Sequence, residues 1–188
     1  SSAEMTAVAK MPHWESTGPL EVAYVAKGLA LGYDWLYHEL TPTQRDAVRA
    51  ALVTNALLRG KEWYRTTSEN YWLTTKSFNI NATVNAGLCM AALAIGDEER
   101  SLSENILTQS VRCIRPVLED FAPDGAWKEG VFYTYYTLNS ISEMASCLET
   151  ALGSDLGMSR APGIDQTGYF ILYSRGPCGG FNWADAKE

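Results

Sequence analysis

Residues 20–60 read LEVAYVAKGLALGYDWLYHELTPTQRDAVRAALVTNALLRG, and this stretch decides the fold class. Its first half, Leu20 to Leu40, is apolar nearly all round, the mark of a helix buried on most faces. Thr41 then offers an N-cap, Pro42 takes the first helical position, and Gln44 completes a capping box. The helix that follows, about 42–59, is amphipathic: Val48, Ala51 and Leu52 oppose Arg45, Asp46 and Arg49. Gly60 is expected to end it. A buried helix is followed by a surface helix.

The same alternation continues downstream. After a polar, aromatic-rich loop from Lys61 to Ser77, small and apolar residues predict a helix over about 79–95, stopped by Gly96. An amphipathic helix over about 97–121 follows, with Pro116 expected to kink it or end its regular part. The next runs over about 131–152 and stops at Gly153. The tail from 154 to 188 is rich in Gly and Pro, with a short apolar stretch at Tyr169 to Tyr173. Almost no strand signal is present, so the chain is expected to be all-α. Its organisation reads as an N-terminal segment (1–19), helical hairpins (20–175) and a tail (176–188). Inner and outer helices repeating every 40–55 residues or so suit stacked hairpins, as in a solenoid or an α/α toroid. Three hairpins close only part of a ring, so the chain is expected to be a piece of a larger protein. An irregular helical bundle is the alternative.

Composition narrows the function classes. Net charge is −7, from 15 basic and 22 acidic residues, with no basic stripe, which argues against a generic nucleic-acid binder. Any polyanion must be met by local basic residues in a cleft. No apolar run approaches a membrane span, and no signal peptide is visible. Cys89, Cys113, Cys147 and Cys178 form no CxxC pair and read as small buried hydrophobes, although one disulfide is open to them. With His13 and His38 the only histidines, a zinc site has little to draw on, and no metal ligands are assigned.

Two segments hold the candidate chemistry. In FAPDGAWKEGVFYTYY (121–136), a Pro-Asp-Gly turn leads into Tyr133, Tyr135 and Tyr136. Helical phase puts Val131, Tyr135, Leu138, Ile141, Ala145, Leu148 and Leu152 on one packing stripe. Tyr135 is then core, while Tyr133 and Tyr136 share another face with Ser140 and Glu143. In SFNINATVNAGL (77–88), Asn79 reads as an N-cap or a functional amide. Asn81 and Asn85, one turn apart on a single face, suit either a polar cleft or an inter-helix hydrogen bond.

SFNINATVNAGL resembles the Asn-Trp-Asn…Asn-Ala-Gly segment of the heparinase II/III-like polysaccharide lyases and their alginate-lyase relatives. FAPDGAWKEGVFYTYY is similar to that group's Pro-Asp-Gly-x-x-x-Glu-Gly-x-x-Tyr-Trp-x-Tyr segment. GLALGYDWLYHELTPTQR (28–45) and GPCGGFNWADA (176–186) also resemble the group, so four matches fall in order along most of the chain. Ile80 and Thr134 depart from the pattern where the family carries Trp, which bears on substrate preference more than on reaction type. Several members also have His where Asn81 falls.

The resemblance implies part of an (α/α) toroid, followed in the family by an antiparallel β-sheet domain. That domain supplies a further catalytic His or Tyr and often a metal site. No cofactor is expected in the helical chain itself. The implied substrate is an acidic, uronate-containing polysaccharide, and the implied location is periplasmic or secreted, in a bacterium. The reaction would be β-elimination, with Asn79 or Asn81 hydrogen-bonding the uronate carboxylate. Tyr133, with Tyr136 in reserve, would be general base, acid or both. A phenol needs neighbours that favour its phenolate to act at neutral pH, and Lys76, Arg65 and Lys128 are near in sequence.

Substrate contacts are expected from Trp14, His13, Trp72, Lys76, Trp127, Glu129 and Asn85, with Trp63, Tyr64 and Tyr71 as further aromatics of the loop before the third helix. Packing is the alternative for Trp14 and His13, and bracing of the turn is the alternative for Glu129. Asp34, in the first buried helix, reads as a partnered structural carboxylate. A glycoside hydrolase would need Asp124 or Glu129 paired with Asp34 across the cleft. A non-catalytic carbohydrate-binding fragment is the third reading.

Overall fold

A computed structural model of the chain describes residues 1–15, 18–66 and 70–181. It is all-α, apart from a two-stranded antiparallel ribbon that pairs Arg175–Gly176 (β1) with Gly179–Gly180 (β2). Residues 182–186 of the tail motif and the Tyr71 side chain lie outside the described residues.

Helix α1 (Ser2–Ala9) opens on a capping box between Ser1 and Glu4, and buries Met5 against Gly32. Helix α2 (Pro19–Trp35) is shorter than its apolar run suggests, because the chain turns from Leu36 onward. Thr41 caps α3 (Pro42–Leu52) with the expected box, and Pro42 takes its first turn. Gly60 does not end the second helix. A π-helical turn (Val53–Leu57) leads into α4 (Leu58–Arg65), which carries Gly60 inside it. A Cβ on Gly60 would come within 2.8 Å of a Leu88 methyl, so the glycine makes room for the neighbouring helix. The loop before the third helix holds the short α5 (Tyr71–Thr74).

Helix α6 (Asn79–Ala94) is buried almost all round, and α7 (Arg100–Cys113) runs back along it. Pro116 ends the regular part of that hairpin, and α8 (Arg115–Glu119) starts afresh. Helix α9 (Val131–Leu152) ends at Gly153 in the left-handed conformation, φ +73°. After it, residues 154–166 form turns that pack Met158, Ala161 and Ile164 under Phe121 and Trp127, and α10 (Thr167–Tyr173) follows.

Cross-helix contacts set the layers. Tyr24 meets Tyr136 and Lys27 meets Glu143, so α2 and α9 run parallel. Asn79 meets Glu129 and Thr83 meets Ser140, so α6 runs parallel to α9. The returning segments are parallel to each other too, with Arg49 beside Glu99 and Tyr64 beside Ser110. One layer therefore holds α2, α6 and α9, and the other holds α3, α4 and α7. Layers of this kind are what stacked helical hairpins produce.

The buried stripe of α9 differs from the expected one. Tyr135 is 50% exposed and Leu152 56% exposed, whereas Thr134, Thr137, Ser140, Ile141, Met144 and Leu148 are buried. Helix α6 faces α9 with Ala82, Ala86 and Cys89, and such small residues admit a close approach that short hydroxyl side chains suit better than tyrosine. Thr134 satisfies its own hydroxyl on the Gly130 carbonyl one turn back. Tyr135 is thus corrected from core to surface. All four cysteines are free thiols, with Cys89 and Cys113 buried, Cys147 half-buried and Cys178 exposed. Among the described residues no helix is long and apolar enough to cross a membrane.

Candidate functional site

The turn that launches α9 is built around Glu129. Its carboxylate accepts the Asn79 backbone N–H at 2.7 Å, the Asn79 Nδ2 at 2.8 Å and the Trp127 Nε1 at 3.1 Å. Phe78, at the N-cap of α6, has no capping side chain, so Glu129 caps α6 from another part of the chain. Trp127 is 1% exposed and stacks on Phe121 with centroids 4.9 Å apart. The substrate-contact role expected for Trp127 is therefore corrected: it is core, and Glu129 is the brace of the turn. Removing that carboxylate in Glu129→Ala strands a buried indole N–H and an amide, and should cost about 1–2 kcal/mol in urea unfolding at unchanged m-value.

Asn81 and Asn85 face inward. Asn81 is fully buried, and its Nδ2 donates to the Lys76 carbonyl at 2.8 Å and the Cys113 carbonyl at 3.0 Å. Its Oδ1 accepts from Asn85 Nδ2 at 2.9 Å. Asn85 Nδ2 also reaches the Leu73 carbonyl, and its Oδ1 accepts from the Tyr64 hydroxyl at 2.7 Å. Burial pushes the Tyr64 phenol well above its ordinary range, which keeps it a donor. The pair ties α6 to α4, α5 and α7, so the inter-helix reading holds and the cleft reading of Asn81 and Asn85 is corrected. Asn85→Ala should destabilise by about 2 kcal/mol, because the buried Tyr64 hydroxyl loses one acceptor and keeps Ser110.

Other expected contacts scatter. Trp14 is 6% exposed, sits in the core under α1 and donates to the Val8 carbonyl, while His13 beside it is exposed. Trp14 as a stacking platform is corrected to packing. Trp72 is half-buried and meets Trp63 edge-on at 6.2 Å, with Arg59 over Trp63. Lys76 is exposed near the start of α6, and Lys128 pairs with Asp120 at 2.6 Å. Asp34 is exposed, not the buried partnered carboxylate expected. It lies toward the Cys147 end of α9. At 1.5 Å per residue, with Tyr24 level with Tyr136, Asp34 and Glu129 are about 25 Å apart along the parallel helices. A hydrolytic pair needs its carboxylates within about 10 Å, so that pairing fails.

The tyrosines do gather. Tyr133 and Tyr136 are half-buried, with ring centroids 6.3 Å apart, and Phe132 contacts both. Tyr136 receives a hydrogen bond from Tyr24 of α2, whose ring meets it edge-on. One turn further along, Lys27 pairs with Glu143 at 2.7 Å and lies 5.4 Å from the Tyr24 ring centroid, while Asn139 holds the other Glu143 oxygen. The result is a partly exposed face with three phenols, one ammonium and one carboxylate, spanning α2 and α9. Tyr24 and Lys27 escaped the sequence reading. Their signal was their (i, i+3) spacing in an otherwise apolar helix, which places them on one side.

Among the described residues, no three His, Cys, Asp or Glu side chains gather where a metal ion would sit. A surface groove of about 790 Å³ lies at the far end of α9 between Ser146, Glu149, Asp155 and Arg160, away from the tyrosines. No known family model matches the chain, and no curated protein matches it.

Proposed function

We propose that this chain is the helical portion of a polysaccharide lyase that cleaves a uronate-containing glycan of the alginate or glycosaminoglycan type by β-elimination. Four sequence segments in family order support the reading. The observation that carries it is the clustering of Tyr24, Tyr133 and Tyr136 on one accessible face, with Lys27 close by. In this reading the layered helices form part of an (α/α) toroid in a periplasmic or secreted bacterial protein. The rest of that protein, a β-sheet domain, completes the site with a His or Tyr and any metal.

The chemistry follows from the groups. A phenolate of α9 takes the C5 proton of the uronate. The C5–H electron pair becomes the C4=C5 double bond, and the C4–O bond breaks toward the leaving oxygen. The newly formed phenol then gives its proton to that oxygen and returns to phenolate. The substrate carboxylate must be relieved of charge as the enolate develops. Asn79 is the amide assigned to this, since Asn81 is sealed in the core, and one Nδ2 hydrogen of Asn79 is not held by Glu129. Tyr133 is first by motif position, with Tyr136 beside it.

Elimination adds no water, whereas hydrolysis adds one per cut. Mass spectrometry of oligosaccharides released from alginate, hyaluronan and heparan sulfate tests the proposal. Products lighter by one water than hydrolytic fragments are expected. Fragments that carry the added water would replace the lyase with a hydrolase, and binding without fragments would leave a carbohydrate-binding module.

A further inference from the structure

Tyr24 is the phenol of this face that the tyrosine-rich motif does not contain. It projects from α2 and Tyr136 from α9, and their hydroxyls meet across α6, whose Thr83 hydrogen-bonds Ser140 of α9. A hydrogen bond between two phenols places one hydrogen between two oxygens, so one hydroxyl donates and the other accepts. Burial above all holds the Tyr24 proton to higher pH than an ordinary phenol. Its bond to Tyr136 and the negative Glu143 act in the same direction, against a smaller opposing effect of Thr83. In the pair Tyr24 donates and Tyr136 accepts.

We propose that Tyr24 is a positioning residue of the proton-transfer site: its hydroxyl donates to the Tyr136 oxygen across α6 and so makes Tyr136, not Tyr133, the phenol that carries negative charge. The catalytic part of this inference rests on the lyase reading above, while the pairing of the phenols does not. The charged and titratable groups around Tyr136 fit the assignment. Lys27 of α2 brings an ammonium next to Tyr24, and Glu143 of α9 is held by both Lys27 and Asn139, so its charge is already met. Tyr133, the remaining titratable neighbour, packs on Phe132 and on the core. Among the described residues its hydroxyl makes no hydrogen bond, so no neighbour donates to its oxygen. Donation to a charged oxygen is the stronger class of hydrogen bond, which gives Tyr136 the advantage.

Nitration by tetranitromethane, which attacks phenolates, reads this residue by residue once peptides are quantified by mass spectrometry. In the wild-type chain Tyr136 should be nitrated faster than Tyr133. In Tyr24→Phe, which keeps the ring contact, the rate at Tyr136 should fall about ten-fold while Tyr133 and Tyr135 change little. Faster nitration of Tyr133 in the wild type, or an unchanged Tyr136 rate in Tyr24→Phe, overturns the inference. The wild-type ranking decides even if the variant is poorly folded. A parallel assay on alginate should show Tyr24→Phe losing about ten-fold in kcat with KM nearly unchanged, because Tyr24 acts through Tyr136 and not on the bound substrate. If the wild type makes no elimination product, the lyase reading falls and the nitration rates still decide the pairing.

Discussion

Gly87→Ala is expected to lower stability by about 3 kcal/mol, or roughly 5–10 °C in melting temperature, while Gly28→Ala leaves stability unchanged or raises it by about 0.5 kcal/mol. Both glycines lie inside helices of the layer that holds α2, α6 and α9, and propensity alone favours alanine at each. They differ in what the added methyl meets. At Gly28 nothing lies within 4 Å of the new Cβ. At Gly87 it would come within 2.6 Å of the Ala23 carbonyl oxygen and 2.8 Å of the Ala23 Cα. Those atoms belong to the backbone of α2, so no side chain can swing aside, and the two helices must separate. Separation would loosen the packing of α2 on α6 and pull Tyr24 away from Tyr136. Thermal unfolding of the two variants checks the close α2–α6 crossing directly. A Gly87→Ala protein as stable as the parent would mean that the helices do not approach that closely.

That crossing shows how far the sequence can be read. The Thr41–Gln44 capping box, the Pro116 break and the Gly153 terminus are local signals, and each appears where its chemistry predicts. The alternation of buried and amphipathic helices likewise points to two layers. Gly60 shows where local reading stops: it looks like a helix end, but its lack of a side chain serves Leu88 on another helix. The phase of α9 fails for the same reason. Hydropathy puts Tyr135 inward, whereas the small face of α6 accepts Thr134, Thr137 and Ser140. Within the candidate site, Tyr133 and Tyr136 were legible from helical spacing. Tyr24 was not, because its partner lies more than a hundred residues away. The burial of Asn81 and Asn85 was open in the sequence, since an asparagine pair suits a cleft and a core network equally well.

Tyr136→Phe carries the second large expected effect, a loss of at least about 100-fold in kcat on a uronate polymer, the scale of a missing general acid–base group. The ring remains, so the contacts with Phe132, Tyr133 and Tyr24 persist, and stability should change by only about 1 kcal/mol. Tyr133→Phe removes a hydroxyl with no hydrogen bond among the described residues, and its loss should be well below that of Tyr136→Phe. The reverse order would return the role to Tyr133, where motif position puts it, and would leave the Tyr24 pair a structural clasp. Kinetics of the two variants on one substrate separate these cases.

The most direct test is the ultraviolet absorbance of a C4=C5 unsaturated uronate, followed while the full-length protein acts on alginate, hyaluronan or heparan sulfate. A steady rise with at least one polymer, abolished in Tyr136→Phe, is the expected result. Reducing ends appearing without that chromophore, or a rise that Tyr136→Phe leaves intact, would contradict elimination at this tyrosine face.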